Sequence, residues 1–313
     1  MSVYTEVSRD DLLAFLADYS LGELVSYQGI SDGIENTNYF VTTDQGEFVL
    51  TLFEHHIFDE LAYFLDVMTF FYQHDIPSAH PAADKEGRYL KQLCGKPAAL
   101  VTRLSGRGVD TVATAEQCHV IGDVLGRMHL VGKEFKAKRP TQRGHDWRQK
   151  SADKLLPLLD DESAELLKKE LAFQAQYAKL DLPFGMTHSD LFRDNALFKG
   201  GELQGIIDFY YACDEYLLYD LAIVVNDWCV DENGLIEHTR YQSLMHAYLL
   251  HRGLTETEQE FWNLVLRAAA LRFWISRLLD KHFPREGELT QIKNPDAFLK
   301  ILKQHQGNED KLK

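Results

Sequence analysis

Long apolar runs are missing from this chain. No stretch approaches the roughly 20 apolar residues that cross a bilayer, so no membrane span is expected. The opening segment, MSVYTEVSRDDLLAFLADYS, also lacks the cationic head and continuous apolar run of a secretion signal, and the expected compartment is the cytosol. Positive charge is scarce: 33 Lys and Arg stand against 48 Asp and Glu, a formal net charge of −15, which argues against a nucleic-acid groove built from clustered cations. The four cysteines, Cys94, Cys118, Cys213 and Cys229, form no C-x-x-C pair. Neither a zinc knuckle nor a redox motif is indicated, and each cysteine reads as a buried, inert thiol. Repeats, low-complexity linkers and the G-x-x-x-x-G-K-[ST] phosphate loop are absent as well.

What is present is an ordinary globular composition, 45% apolar and 26% charged over 313 residues, with a change of texture partway. The first hundred residues read largely as strands. Ser8 caps a short helix carrying Leu12, Leu13, Phe15 and Leu16, and LVSYQGI, TNYFVTT and, after a DQG turn, EFVLTLF follow with strand alternation. Phe58, Leu61, Phe64, Leu65, Met68, Phe71 and Tyr72 form a helical stripe, and RYLKQLCGKPAALVTRL reads as a hairpin turning at CGKP. From Thr114 onward helices are expected over 114–131, 146–159, 161–180, 216–229, 235–251, 255–282 and 295–305, interrupted only by short strands between 186 and 208. The expected organisation is an N-terminal lobe over 1–98, a connector over 99–108 and a larger, mainly helical C-terminal lobe over 109–313. A cleft between two such lobes is a common place for a small molecule.

Within the interruption lies HSDLFRDN, residues 188–195, followed by a hairpin with a KGG turn and Asp208 at its far end. The hairpin can bring Asp190, Asn195 and Asp208 together. Phosphoryl transfer needs that set: one carboxylate beside the attacking hydroxyl, and a second carboxylate with a neutral amide to hold Mg²⁺ against nucleotide phosphates. A polar surface turn would also favour Asp and Asn, and the hairpin with its second Asp is what separates the two readings.

The spacing H-x-D-x-x-x-x-N followed by an Asp framed by apolar residues resembles the catalytic loop and metal-binding Asp of protein-kinase-like enzymes. In that comparison His188, Arg193 and Asp194 support the loop, and Asp220 braces it. ISDGIENTNYFV resembles the G-x-x-N-x-x-[FY] lid of the aminoglycoside and choline kinase group, with Gly33, Asn36 and Tyr39 at matching places and Ser31 and Thr37 as polar caps. The following strand departs from the pattern: where such enzymes carry a phosphate-binding Lys or Arg, this chain has Thr51, and Glu60 on the next helix would ordinarily pair with that cation.

Over nearly its full length, through GIENTNYFV, EFVLTLFE, HSDLFRDN, IIDFYYACDEYLLYDLAIVVNDW and RAAALRFWISRLLD, the chain resembles the bacterial homoserine kinases built on the aminoglycoside phosphotransferase fold. The resemblance implies an α+β, two-lobed protein-kinase-like fold, with an antiparallel N-terminal sheet and one packed helix. It also implies ATP and Mg²⁺ as cofactors and transfer of the γ-phosphate to the side-chain hydroxyl of L-homoserine on the route to threonine. Asp190 would orient the hydroxyl, and Asn195 and Asp208 would hold the metal. Adenine would lie against Leu100, Val101 and Leu104, with Ile30 and Leu50 as apolar walls. Substrate contacts are expected from Asn226 and Trp228, for which a helix-interior or cap role stays equally open.

Arg267, Arg272 and Arg277 recur every five residues, each rotated about 140° from the last, so they cannot share one site. Arg272, inside ALRFWI, is the candidate for the substrate carboxylate, against a structural ion pair. Two other readings stay open: a kinase of an aminoglycoside, choline or a sugar, and a catalytically silent scaffold, favoured by the missing cation at Thr51. Oligomeric state leaves no mark in the sequence.

Overall fold

The computed structural model describes residues 4–30, 36–55, 58–175, 180–284 and 293–307. The chain divides into two compact units, one ending at Gly106 and the other beginning at Arg107. Gln204–Tyr210, inside the segment assigned from sequence to the C-terminal lobe, groups with the first unit.

The first unit is a five-stranded antiparallel sheet in the order β1-β2-β3-β5-β4, formed by β1 (Leu24–Gly29), β2 (Thr37–Thr43), β3 (Gly46–Leu52), β4 (Lys91–Leu93) and β5 (Lys96–Thr102). Alternation along β2 and β3 buries Tyr39, Val41, Phe48, Leu50 and Leu52 in one cluster with Leu12, Phe15 and Leu16 of α1 (Arg9–Leu16). Ser8 caps that helix by accepting from the Asp11 amide, whereas Leu13 points outward. The β4–β5 hairpin turns through Cys94 and Gly95, both at positive φ (51° and 75°), as a two-residue turn with the strands' own twist requires. Cys94 is consequently exposed, which corrects the expectation of a buried thiol there; Cys118, Cys213 and Cys229 are buried. Helix α2 (Phe58–Gln73) buries Phe64 and Phe71 against Tyr210 and Phe209, with ring centroids 5.9 and 5.6 Å apart. Segment 204–210 is therefore a packing element of this unit.

The second unit is mainly helical: α3 (Ala115–Val131), α4 (His145–Leu155), α5 (Asp161–Gln174), α6 (Leu217–Trp228), α7 (His238–Leu249), α8 (Glu256–Glu260), α9 (Trp262–His282) and α10 (Asp296–Gly307). Two short sheets interrupt them, β6 (Phe184–Thr187) pairing with β9 (Cys213–Tyr216), and the hairpin of β7 (Ala196–Lys199) and β8 (Glu202–Ile206). The KGG turn is made as expected, with Gly200 and Gly201 both at positive φ.

Two differences from the sequence expectation have clear causes. The helix expected over 255–282 breaks at Phe261, because buried Glu258 is anchored to Arg252 while Trp262 donates to the Tyr241 hydroxyl at 3.1 Å, fixing the two pieces separately. Strand β9 was not anticipated. Its sequence, CDEY, has poor intrinsic strand preference, and it is held by tertiary partners: buried Asp214 accepts from Lys138 and from the Arg139 amide. Among the described residues no helix is long and apolar enough to cross a membrane.

Candidate active site

Everything around residues 188–195 is organised from beneath by Asp220, which is wholly buried on α6. Its carboxylate accepts from the backbone amides of His188 (2.9 Å) and Ser189 (2.8 Å) and from His129 Nε2 (3.2 Å). The other nitrogen of His129 faces the Tyr248 hydroxyl at 2.8 Å, an arrangement that a neutral imidazole donating to Asp220 satisfies completely. Burial works against charge on Asp220, but these bonds outweigh it and hold the carboxyl below its usual range. The same burial depresses the pKa of His129. Such support lets the loop carry Ser189 at a φ of 63°, a conformation that costs a non-glycine residue of order 1–3 kcal/mol.

Strain at Ser189 turns the chain so that the Asp190 amide donates to His188 Nδ1 (3.2 Å), the orienting part expected of this histidine. Asn195 closes the loop: its Nδ2 donates to the Asp190 carbonyl (2.8 Å) and lies 3.4 Å from Asp190 Oδ2. With the amide nitrogen turned inward, the carbonyl oxygen is the atom offered to a hard cation. Asp190 Oδ1 meets Arg272 Nη1 at 3.3 Å, and the same nitrogen lies 3.3 Å from the Ser189 carbonyl. Only 16% of the Asp190 side chain is exposed. Burial raises its pKa, and the Arg272 guanidinium opposes that rise.

The three arginines of α9 have separate partners, as their rotation requires. Arg267 pairs with Glu170 at 2.6 Å, Arg272 with Asp190, and Arg277 with the Asn294 carbonyl at 3.1 Å.

The far side of the loop is anchored as firmly. Asp227 accepts from the Arg193 amide (2.8 Å) and guanidinium (3.2 Å), and Asp194 pairs with Lys293 at 2.5 Å. Phe192 meets Phe273 edge to face with centroids 4.5 Å apart. Asn226 and Trp228, expected near the substrate, are instead wholly buried: the Asn226 amide donates to the Leu266 carbonyl and faces His305, and Trp228 Nε1 donates to the Leu191 carbonyl at 3.1 Å. Of their tripeptide, Trp228 and Asp227 support the loop directly. The part played by His129 was not foreseen, since nothing in GRMHL ties it to residues 91 positions away.

Asp208 belongs to the first unit, just beyond β8, and adopts a φ of 64°. Asp is among the few residues that tolerate this region. Of the expected nucleotide contacts, Ser31 and Gly33 lie outside the described residues. Ile30 and Leu104 are half-buried and Val101 is 8% exposed. Leu50 and Leu100 are cross-strand partners with no exposed surface, inside the cluster under α1, so they cannot wall an adenine. Thr37 spends its hydroxyl on the Tyr4 and Thr5 amides and on Glu54, and Asn36 Oδ1 faces the Glu54 amide. Both therefore tie down the start of β2. Thr51 is buried and donates to Asn38 Oδ1 at 2.7 Å. The neighbouring cations of the sheet are engaged, Lys96 with Glu54 at 3.1 Å and Arg103 with Glu47 at 3.3 Å while stacked on Phe40.

A largely buried carboxylate paired with an arginine and bonded to an asparagine five residues on, in a loop braced by a second buried carboxylate, has the form expected of a kinase-type phosphotransferase. The chain belongs to the phosphotransferase enzyme family, whose model matches residues 26–260. It is 49% identical to the homoserine kinase of Methylobacillus flagellatus over 97% of this chain and 95% of that one. It is 43% identical to the homoserine kinase of Neisseria meningitidis serogroup B over 96% and 99%. Among solved structures it resembles an amicoumacin kinase in complex with AMP-PNP, Ca²⁺ and Ami, with a TM-score of 0.72 at 15% identity, covering 97% of this chain and 94% of the other. The fold is thus the α+β, protein-kinase-like one.

Proposed function

We propose that this protein is a homoserine kinase, transferring the γ-phosphate of ATP to the side-chain hydroxyl of L-homoserine to give O-phospho-L-homoserine, a step of threonine biosynthesis. The observation that carries the reading is the 49% identity to a homoserine kinase over 97% of the chain. Asp190 orients the acceptor hydroxyl and takes its proton as the oxygen attacks phosphorus. Its partial burial places a weakly solvated carboxylate there, raising its pKa as a base requires, and the Arg272 guanidinium opposes that rise. For Mg²⁺, Asn195 and Asp208 would each supply an oxygen donor, an amide carbonyl and a carboxylate, of the kind this ion accepts alongside phosphates and water. When bound, the ion neutralises charge on the phosphates.

Adenine lies against the sheet face that carries Val101, with Ile30 and Leu104 beside it.

The test is ADP release with ATP and Mg²⁺ across L-homoserine, serine, threonine, choline, methylthioribose and kanamycin, with Asp190→Asn as the blank. Release with homoserine, reduced about 10²-fold or more in the variant, is expected. Release with a different acceptor alone would remove homoserine as the substrate, and silence throughout would leave a non-catalytic scaffold.

A further inference from the structure

Arg143 stands out among the cations of the second unit. It is half-buried, on the turn leading into α4, with its guanidinium 4.7 Å from the Trp147 ring and 5.7 Å from the Tyr211 ring. Among the described residues it meets no carboxylate, in a chain whose acidic residues outnumber its basic ones. Arg272 approaches the same Tyr211 ring at 5.3 Å. It is 3% exposed, and although its Nη1 reaches Asp190, its buried Nε has no hydrogen-bond partner among the described residues. A buried donor left unmet is unfavourable, so two guanidiniums beside one ring, one with an idle donor, form a site that an anion would complete.

We infer that Arg143 and Arg272, both beside Tyr211, bind the α-carboxylate of the amino-acid acceptor and so select a free amino acid over a simple alcohol. The inference rests on the function proposed above. Its geometry follows from the acceptor. In homoserine four bonds of about 1.5 Å separate the hydroxyl oxygen from the carboxylate carbon, an extended reach of roughly 5 Å. A hydroxyl placed on Asp190 can lay the carboxylate beside the residue that already touches Asp190, which is Arg272, and Arg143 approaches the same Tyr211 ring. The planar fork of arginine suits a carboxylate, and cation–π contact with Trp147 and Tyr211 holds the Arg143 guanidinium in place in advance. Sequence reading offered no signal for Arg143, which lies in a polar turn without a motif.

Arg143→Gln tests this, because the residue is only half-buried and its loss leaves Asp190 untouched. L-Homoserine is compared with 3-amino-1-propanol, which keeps the hydroxyl and the amine and lacks the carboxylate. In the wild type, homoserine should be strongly preferred in kcat/KM. In Arg143→Gln the homoserine KM should rise about tenfold or more, with kcat/KM for 3-amino-1-propanol and the KM for ATP unchanged, so that the preference shrinks by the same factor. Arg143→Lys, which keeps charge but not the fork, should fall between. A preference unchanged in Arg143→Gln, in an enzyme that turns over homoserine normally, overturns this inference alone. An equal rise in the KM for ATP overturns it too, by assigning the cation to nucleotide phosphate. Wild-type silence toward homoserine overturns the proposed function and this inference with it.

Discussion

Asp220 never touches the reacting atoms in this arrangement, yet the loop depends on it more than on any other side chain. It fills both lone-pair-bearing oxygens with donors from His188, Ser189 and His129, all inside the second unit. Asp220→Asn replaces one acceptor oxygen by an NH₂ facing a donor. It should cost about 3 kcal/mol of stability at neutral pH, as removal of a buried, hydrogen-bonded charge does. The pH dependence follows from the depressed folded pKa. The unfolded aspartate titrates at its usual value, so the stabilisation is complete above that value and is lost as pH falls through the lower folded one. Urea melts of both proteins at a series of pH values should show a difference that is constant from neutrality down to about pH 4 and narrows below it. A difference that instead widened on acidification would mean that His129, not Asp220, dominates the network. At this scale the sequence was informative where chemistry is local, as with Asp190 and Asn195, whose five-residue spacing lets the amide reach back to the carboxylate. It was silent on His129 and Arg143, which are defined only by what the fold brings to them.

Elements are where physical regularities reach furthest. Stripes and caps located nearly every helix: Thr114 and Gln117 form a full capping box at the start of α3, and Ser8 caps α1 as expected. The exceptions share one cause, tertiary partners overriding local preference, as in strand β9 and in the break at Phe261. A different kind of element-level constraint lies on α3, where Gly122 and Gly126 face α7. A Cβ at Gly122 would come 2.2 Å from the Leu244 carbonyl oxygen, and one at Gly126 would stand 3.0 Å from that of Tyr248. The clash at Gly122 is with backbone, which no rotamer change relieves, so the helices must separate. Gly122→Ala should therefore destabilise by about 1–3 kcal/mol despite alanine's better helix propensity, read as a lowered thermal midpoint. Gly253→Ala, where a Cβ meets nothing within 4 Å, is the control and should change stability little. Equal melting of the two variants would show that the α3–α7 contact is looser than described.

For the whole molecule, charge is the property most legible from sequence and least visible in any one contact. The texture change from strands to helices foretold the antiparallel sheet early in the chain and the helices after it, but it did not tell that residues 204–210 would pack with the first unit. That depends on Phe209 and Tyr210 finding Phe71, Phe53 and Phe64, contacts far apart in the chain. An excess of acidic residues that gives −15 overall leaves many carboxylates repelling one another. Opposing this are exposed pairs such as Lys303 with Glu162, Lys169 with Glu165 and Lys293 with Asp194, each worth about 0–1 kcal/mol and weakened by the same salt. The buried pairs, Arg267 with Glu170 and Arg252 with Glu258, are screened far less. Sodium chloride shortens the screening length from about 30 Å at 0.01 M to about 8 Å at 0.15 M, cutting long-range repulsion before it touches contacts of 3 Å. The thermal midpoint should accordingly rise by a few degrees over that range and then level off. A midpoint that falls with salt would mean that the surface pairs outweigh the net repulsion, and that the acidic excess is dispersed so evenly that it costs the fold little.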